Sequence, residues 1–346
     1  MNRREIVLGA AALAACSPEA RSQAQRGDLI PPPFPMRRGV NLGNALEAPN
    51  EGDWGYTIEL PHLDAIRDAG FDGVRLPVRW DAHAGSTPPY AFGGDFWRRI
   101  DEIVEHALGL GLTLQLDMHH YERLISEPAR QRDRFLGMWS GIAHHFRGAP
   151  AGLILEPFNE PNGPNWGSGA LMALQRDVVE VIRDRDATRL IVLGPGNWQN
   201  IDALRDWRPP QGENIAVSVH YYEPHAFTHQ GAEWLGADAP VFGRDWGTVS
   251  DFRRVREHIE AAARWGRERG HALQLGEFGV NRVVPAQQRL LWTRAVREAC
   301  EDSELAWCVW DFAGAFPVWD RDNAQMLPEM QEALFAVRED WFEEPQ

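Results

Sequence analysis

A chain of 346 residues with 50 acidic against 35 basic side chains, a formal charge of −15, lacks the basic footprint that nucleic acid or an anionic membrane face requires. Its hydrophobic fraction of 44% is that of a globular protein, and its length admits either two average domains or one large α/β barrel. Fifteen tryptophans are more than a core of this size uses, which points to flat apolar surfaces and suits an uncharged partner such as a polysaccharide.

Arg3 and Arg4, followed by the apolar run Ile6 to Ala15, read as a targeting segment too short to span a bilayer. Leu13-Ala14-Ala15-Cys16 resembles the bacterial lipoprotein box, so residues 1–16 are expected to be an export signal with Cys16 as the lipidated first residue. An ordinary cleaved signal is the alternative, and the paired arginines faintly resemble a twin-arginine signal. The expected destination is the periplasm, the cell surface or the medium, with any membrane attachment made through Cys16 alone. Residues 17–35, rich in Pro, Ser, Gln and Arg, read as a flexible tether, and 36–346 as one domain. Cys300 and Cys308 stand too close across a helix-to-strand joint to pair and are expected as buried thiols.

From residue 36 a short apolar run, a polar or aromatic loop and an amphipathic stretch recur, the pattern of βα alternation. Strands are expected at Arg38 to Leu42, Gly73 to Val78, Leu112 to Met118, Leu153 to Phe158, Leu190 to Leu193, Ile215 to His220, Ala272 to Glu277 and Ala306 to Trp310. Helices are expected at Pro61 to Ala69, Phe96 to Leu110, Ala129 to Phe146, Ala170 to Arg185, Val249 to Arg269, Ala286 to Glu301 and Pro328 to Val337. Gly70, Gly111 and Gly270 each follow a helix end, where a left-handed residue closes the last turn. Eight strands fit a single (β/α)8 barrel. An open doubly wound sheet is the alternative, but no G-x-G-x-x-G follows the first strand.

In such a barrel the chemistry lies at the carboxyl ends of the strands. Those ends carry Arg75 and Trp80, Asp117-Met118-His119-His120, Asn159-Glu160-Pro161, His220-Tyr221-Tyr222, Glu277-Phe278-Gly279 and Trp310-Asp311. Any one of these could be a helix cap or a barrel-layer residue; the set together is not what packing alone needs. Two glutamates ending strands four and seven face each other across the mouth, the arrangement glycoside cleavage uses: one protonates the departing oxygen while the other attacks the anomeric carbon. The negative nucleophile would raise its neighbour's pKa and keep the acid protonated.

Leu155-Glu156-Pro157-Phe158-Asn159-Glu160-Pro161 and Leu275-Gly276-Glu277-Phe278-Gly279 resemble the strand-four and strand-seven signatures of glycoside hydrolase family 5, the cellulase family of clan A, and the likeness runs from residue 37 onward. It implies a (β/α)8 barrel, Glu160 as acid/base and Glu277 as nucleophile of a retaining endo-β-1,4-glucanase, with no cofactor. By the same resemblance Asn159 would bond the sugar 2-hydroxyl, Arg75 and Tyr222 would hold Glu277, His220 would sit by Glu160, and Trp310 would form the floor beneath the cleaved sugar. His119 fills another position of the family pattern, from which none of these residues departs. His229 and Trp234 fall in a stretch, 227–234, that looks like an endoglucanase loop, and with Asn44, Glu47 and His120 they would line the cleft. Trp54, Trp80, Trp166, Trp198, Trp246 and Trp319 are further platform candidates, of which about half are expected to be packing residues.

A metal-dependent hydrolase and a non-catalytic glycan-binding barrel are the other classes weighed. Histidines 119 and 120 are adjacent on a strand and expected on opposite faces, 144 and 145 end a helix on the far side, and 225 and 229 lie in a loop without an H-E-x-x-H helix, so no metal is expected. A Ser or Cys nucleophile lacks a G-x-S-x-G elbow or a dedicated base. The expected partner is a β-glucan, with endo-mannanase or xyloglucanase action as the alternative, and the expected state is a monomer.

Overall fold

Strands Gly73–Val78 and Ile215–His220 are buried at every position, because a barrel strand meets the interior with one face and the outer helices with the other. The computed structural model describes residues 33–337. Eight parallel strands close in sequential order: β1 Arg38–Asn41, β2 Gly73–Val78, β3 Thr113–Met118, β4 Leu153–Glu156, β5 Ile191–Leu193, β6 Ile215–His220, β7 Leu273–Glu277 and β8 Ala306–Val309. The barrel helices are α1 Leu60–Ala69, α2 Gly94–Gly109, α3 Pro128–His145, α4 Ser168–Arg183, α5 Val249–Arg269, α6 Ala286–Asp302 and α7 Pro328–Phe335. The (β/α)8 expectation holds, with β1, β4 and β8 ending one or two residues before the expected Leu42, Phe158 and Trp310. Between β5 and β6 the outer helix is replaced by a single turn, Gly196–Gln199, and a 3-10 turn, Ile201–Arg205. A small hairpin, β9 Trp319–Asp320 with β10 Gln325–Met326, follows β8.

The three glycines expected at helix ends all have positive φ, 104° at Gly70, 80° at Gly111 and 70° at Gly270. Cys300 and Cys308 are free and buried, as expected. Among the described residues no helix is long and apolar enough to cross a membrane. The expected signal, with Cys16, and nearly all of the expected tether lie outside the described residues. Phe34, in the expected tether, is buried at 2% exposure.

Inside the barrel the side chains form two kinds of layer. At the amino ends Phe34, Met36, Ile154, Val192, Ala216, Ala272, Ala306 and Cys308 make a closed apolar floor. Met36 lies over Gly39 and Gly73, where an added Cβ would stand 2.7 and 2.6 Å from its sulfur. Above the floor the lining turns polar and its side chains bond one another: Gln274 Nε2 donates to Gln115 Oε1 at 2.8 Å, and Gln115 Nε2 to Glu156 Oε2 at 2.7 Å. That polar shaft opens at the carboxyl ends of the strands.

Candidate active site

Arg75, fully buried on β2, organises the mouth. Its guanidinium meets Glu156 at 2.7 Å, Asp117 at 2.9 Å and Glu277 at 2.7 Å, and its Nη2 donates to Asn159 Oδ1 at 2.7 Å. Expected as the holder of Glu277, it is in fact shared among three carboxylates, and burying it is tolerable only because they surround it. Glu277 is further held by the Tyr222 hydroxyl, which donates to its Oε2 at 3.0 Å.

His220 comes to the centre by a break in register. Val219 pairs with Leu275, but His220 pairs with Glu277, and the irregularity re-aims the imidazole. Its Nδ1 lies 2.9 Å from Glu160 Oε1 and 3.6 Å from Glu277 Oε2. One ligating atom each from Glu160, His220 and Glu277 falls within 4.8 Å of the others, the one such convergence of three metal-ligating side chains among the described residues. Each is already engaged, and the adjacent Arg75 cation opposes a second positive charge.

The two glutamates differ in surroundings. Burial pushes Glu160 up to about 8, with the like charges of Asp117 and Glu156 adding to it. Burial likewise pushes Glu277 up to about 7, and the nearby Glu160 adds, while the Arg75 cation pulls the other way. Glu160 keeps 26% of its side chain exposed against 5% for Glu277. Burial lowers His220 and His119 and holds both imidazoles neutral. His119 Nδ1 faces Asp117 Oδ2 at 3.0 Å, which leaves Nε2 to accept from Asn159 Nδ2 at 3.3 Å. Asn159 therefore keeps one amide hydrogen free for a ligand.

Trp310 lies half-exposed, stacked on His119 with ring centroids 5.5 Å apart and 10° between planes. Gly43 is needed beneath it, since a Cβ there would come 2.9 Å from the indole. His120 does not point away from His119 as expected: both follow the last residue of β3, His120 has φ 52°, and the rings meet edge to face at 4.6 Å. His120 also reaches Trp54 at 5.6 Å. His225 and His229 occupy a helical turn, His225–Thr228 and its cap, and stack at 4.0 Å; His229 backs Tyr222 at 5.0 Å.

Glu47 is a correction. Expected to line the cleft, it is 1% exposed and turned inward, accepting the backbone N–H groups of Asn44 and Ala45. It shapes the loop that presents Asn44, whose amide bonds Asp311. Among the candidate platforms Trp80, Trp166 and Trp246 are buried packing residues, and Trp319 stacks on Phe312. Among the described residues Trp54, Trp198 and Trp234 are the exposed indoles, at 45, 52 and 56%. Trp54 and Trp234 line a hollow of about 190 Å³ together with Asn44, Arg282 and Arg321.

Sequence reasoning missed Gln199 and Phe316. Phe316 is buried behind Trp234, His229 and Tyr222. Gln199 is buried beside Glu160, whose backbone N–H it accepts at 2.7 Å. It ends three consecutive non-glycine residues in the left-handed region, Asn197, Trp198 and Gln199 with φ 54°, 56° and 53°, each costing about 1–2 kcal/mol. No local motif announces either residue.

Known proteins resemble this arrangement over most of the chain. Endoglucanase H of Acetivibrio thermocellus is 30% identical over 314 residues, 88% of this chain but 33% of its own length, so the chain spans about a third of that relative. It spans about half of Endoglucanase 3 of Fibrobacter succinogenes, at 24% identity over 86% of this chain. Structures of Cel5A of Thermotoga maritima superpose with a TM-score of 0.84, covering 87% of this chain and 98% of that one; one in complex with cellobiose is 37% identical, and one in complex with mannotriose 36%. The family model for cellulase, glycosyl hydrolase family 5, matches residues 40–315, from the third residue of β1 to the loop beyond β8. A match of that extent places both glutamate-bearing strand ends inside it, and the chain belongs to glycosyl hydrolase family 5.

Proposed function

We propose that the protein is a retaining endo-β-1,4-glucanase that uses Glu160 as acid/base and Glu277 as nucleophile. The observation that carries this reading is the approach of the two carboxyls, with one oxygen of each inside 4.8 Å. Retaining pairs stand about 5–5.5 Å apart, and inverting pairs stand about 6.5–9.5 Å apart to admit a water between them. Glu277, ion-paired to Arg75 and bonded by Tyr222, attacks the anomeric carbon as the C–O bond breaks, and Glu160 gives its proton to the departing oxygen. The resulting ester is opened by water, whose proton returns to the now ionised Glu160. The spare amide hydrogen of Asn159 is aimed to bond the sugar 2-hydroxyl, and Trp310 offers its face to the sugar's C–H surface.

Three exposed indoles spread over separate loops favour a groove for several consecutive sugars over a pocket for one. The endoglucanase names of the curated relatives support glucan as the polymer. Mannan is the second reading, because the similar Cel5A barrel was captured with mannotriose as well as cellobiose. The expected leader at residues 1–16 suits an exported enzyme meeting its polymer outside the cell.

The test is a product profile on barley β-glucan, carboxymethylcellulose, xyloglucan and galactomannan, followed by viscometry and by NMR of newly formed ends. Early viscosity loss on glucan with β-configured new ends is expected. Newly formed α ends would overturn retention, monosaccharide as the sole early product would overturn endo action, and turnover confined to galactomannan would overturn the glucan assignment.

A further inference from the structure

We propose that Gln199 is a positioning residue for the acid/base, fixing where Glu160 stands relative to the departing oxygen; this rests on the acid/base reading of Glu160. Glu160 has φ 46°, a backbone state that a glutamate holds only when its surroundings enforce it. Its N–H is accepted by Gln199 Oε1 at 2.7 Å, while Gln199 Nε2 donates to Glu156 Oε1 at 3.3 Å and Ser218 O at 3.4 Å. Gln199 is wholly buried, so it acts on the substrate only through Glu160.

The left-handed turn is what carries this amide inward. Asn197, Trp198 and Gln199 reverse the chain directly after β5, tied by the Trp198 N–H to Pro161 O at 3.3 Å, beside the strand-four motif. Gly194 then gives way to the side chain: a Cβ there would lie 2.6 Å from Gln199 Cδ. Glu156 gives its other oxygen to Arg75 and Gln115, and Arg75 holds Glu277. A continuous bonded path thus runs from Glu277 through Arg75, Glu156 and Gln199 to the Glu160 backbone, and it sets the spacing of the two carboxyls without direct contact between them.

The test measures kcat on barley β-glucan and on 2,4-dinitrophenyl β-cellobioside, with the pH profile of kcat/KM, for Gln199→Ala, Gln199→Glu, Gly194→Ala and Glu160→Gln. Gln199→Ala should lower kcat on glucan about 30–100-fold yet stay within about 3-fold on the aryl glycoside, which needs little protonation. Its alkaline limb should move to lower pH as water reaches Glu160. Gln199→Glu keeps an acceptor for the Glu160 N–H but sets a carboxylate oxygen against Glu156 Oε1 and Ser218 O, breaking the path there; it should lose glucan turnover as Gln199→Ala does, while its added negative charge should move the alkaline limb upward instead. Gly194→Ala crowds Gln199 without touching Glu160 and should follow Gln199→Ala.

Equal losses on both substrates, or an unmoved alkaline limb, in Gly194→Ala and the Gln199 variants would overturn the proposal. Should Gln199→Ala not fold, the other two variants decide by the same readings. Glu160→Gln separates the two levels. Equal loss on both substrates in that variant overturns the acid/base reading itself, whereas a spared aryl glycoside there with equal losses in the Gln199 variants overturns positioning alone.

Discussion

Glu277 and Glu160 close the same gap from opposite strands, yet the protein grips them in opposite ways. Glu277 is almost wholly enclosed and is held at its carboxylate by a guanidinium and a phenol. Glu160 is a quarter exposed, meets a neutral imidazole at its carboxylate, and is held chiefly by its backbone. In the proposed cycle the side chain that stays charged is fixed by charge, and the one that changes protonation is fixed where no charge is involved. The comparison turns carboxylate identity into environment.

Removing each carboxyl should break the symmetry most. Glu277→Ala is expected to lower kcat by about 10⁴-fold or more on polymer and aryl glycoside alike, since no partner step remains. Azide should restore part of that turnover and yield a glycosyl azide of inverted configuration; restoration in a different carboxylate variant would assign the nucleophile elsewhere.

A smaller change sharpens the contrast on the Glu277 side alone. Tyr222→Phe deletes the hydroxyl that favours the ionised nucleophile, so the Glu277 pKa should rise and the acidic limb of kcat/KM should move to higher pH, with kcat down about 10–100-fold. The alkaline limb, which reports Glu160, should stay in place. Movement of both limbs together would mean that the pair titrates as one unit.

The smallest effect lies outside the pair. Burial pushes Glu47 up to about 8 and Asp311 to about 7. Both are raised above their ordinary values, so folding favours the protonated forms. The stability they contribute is complete below the unfolded carboxyl range and is lost as pH rises toward 7 and 8. Tm should therefore decline from pH 5 to pH 8. Glu47→Gln forfeits one N–H acceptor, which costs about 1–2 kcal/mol, but should flatten that decline; an unchanged slope would remove Glu47 as its source.

The barrel was readable because each strand is a short, largely apolar run with polar residues at or just beyond its carboxyl end, as Glu277 ends β7 and Asn159-Glu160 follows β4. Glu47 was misread because an acidic residue in a mouth loop looks the same whether it faces the groove or turns to cap N–H groups beneath it. Trp80 falls in the expected packing half of the platform candidates for a reason that the local sequence does not show: its ring dives to donate to Asp117 O at 3.0 Å, a partner 37 residues away. Gln199 escaped notice because its effect depends on three left-handed residues in succession, for which Asn197-Trp198-Gln199 carries no glycine signal. His120, which the resemblance set beside His119 in the cleft, was expected on the opposite face only because strand alternation was extended past Met118, where the strand ends.

The floor of Phe34, Met36 and their neighbours has a consequence for traffic. With the amino end of the barrel sealed by apolar side chains, every species in the proposed cycle passes one opening: the polymer enters there, the first fragment leaves there, and water follows it in. The sequence of arrivals and departures is then governed by a single doorway. The departing fragment must vacate the side of Glu160 before water can occupy it, and a second sugar hydroxyl waiting at that doorway competes with water for the same vacancy.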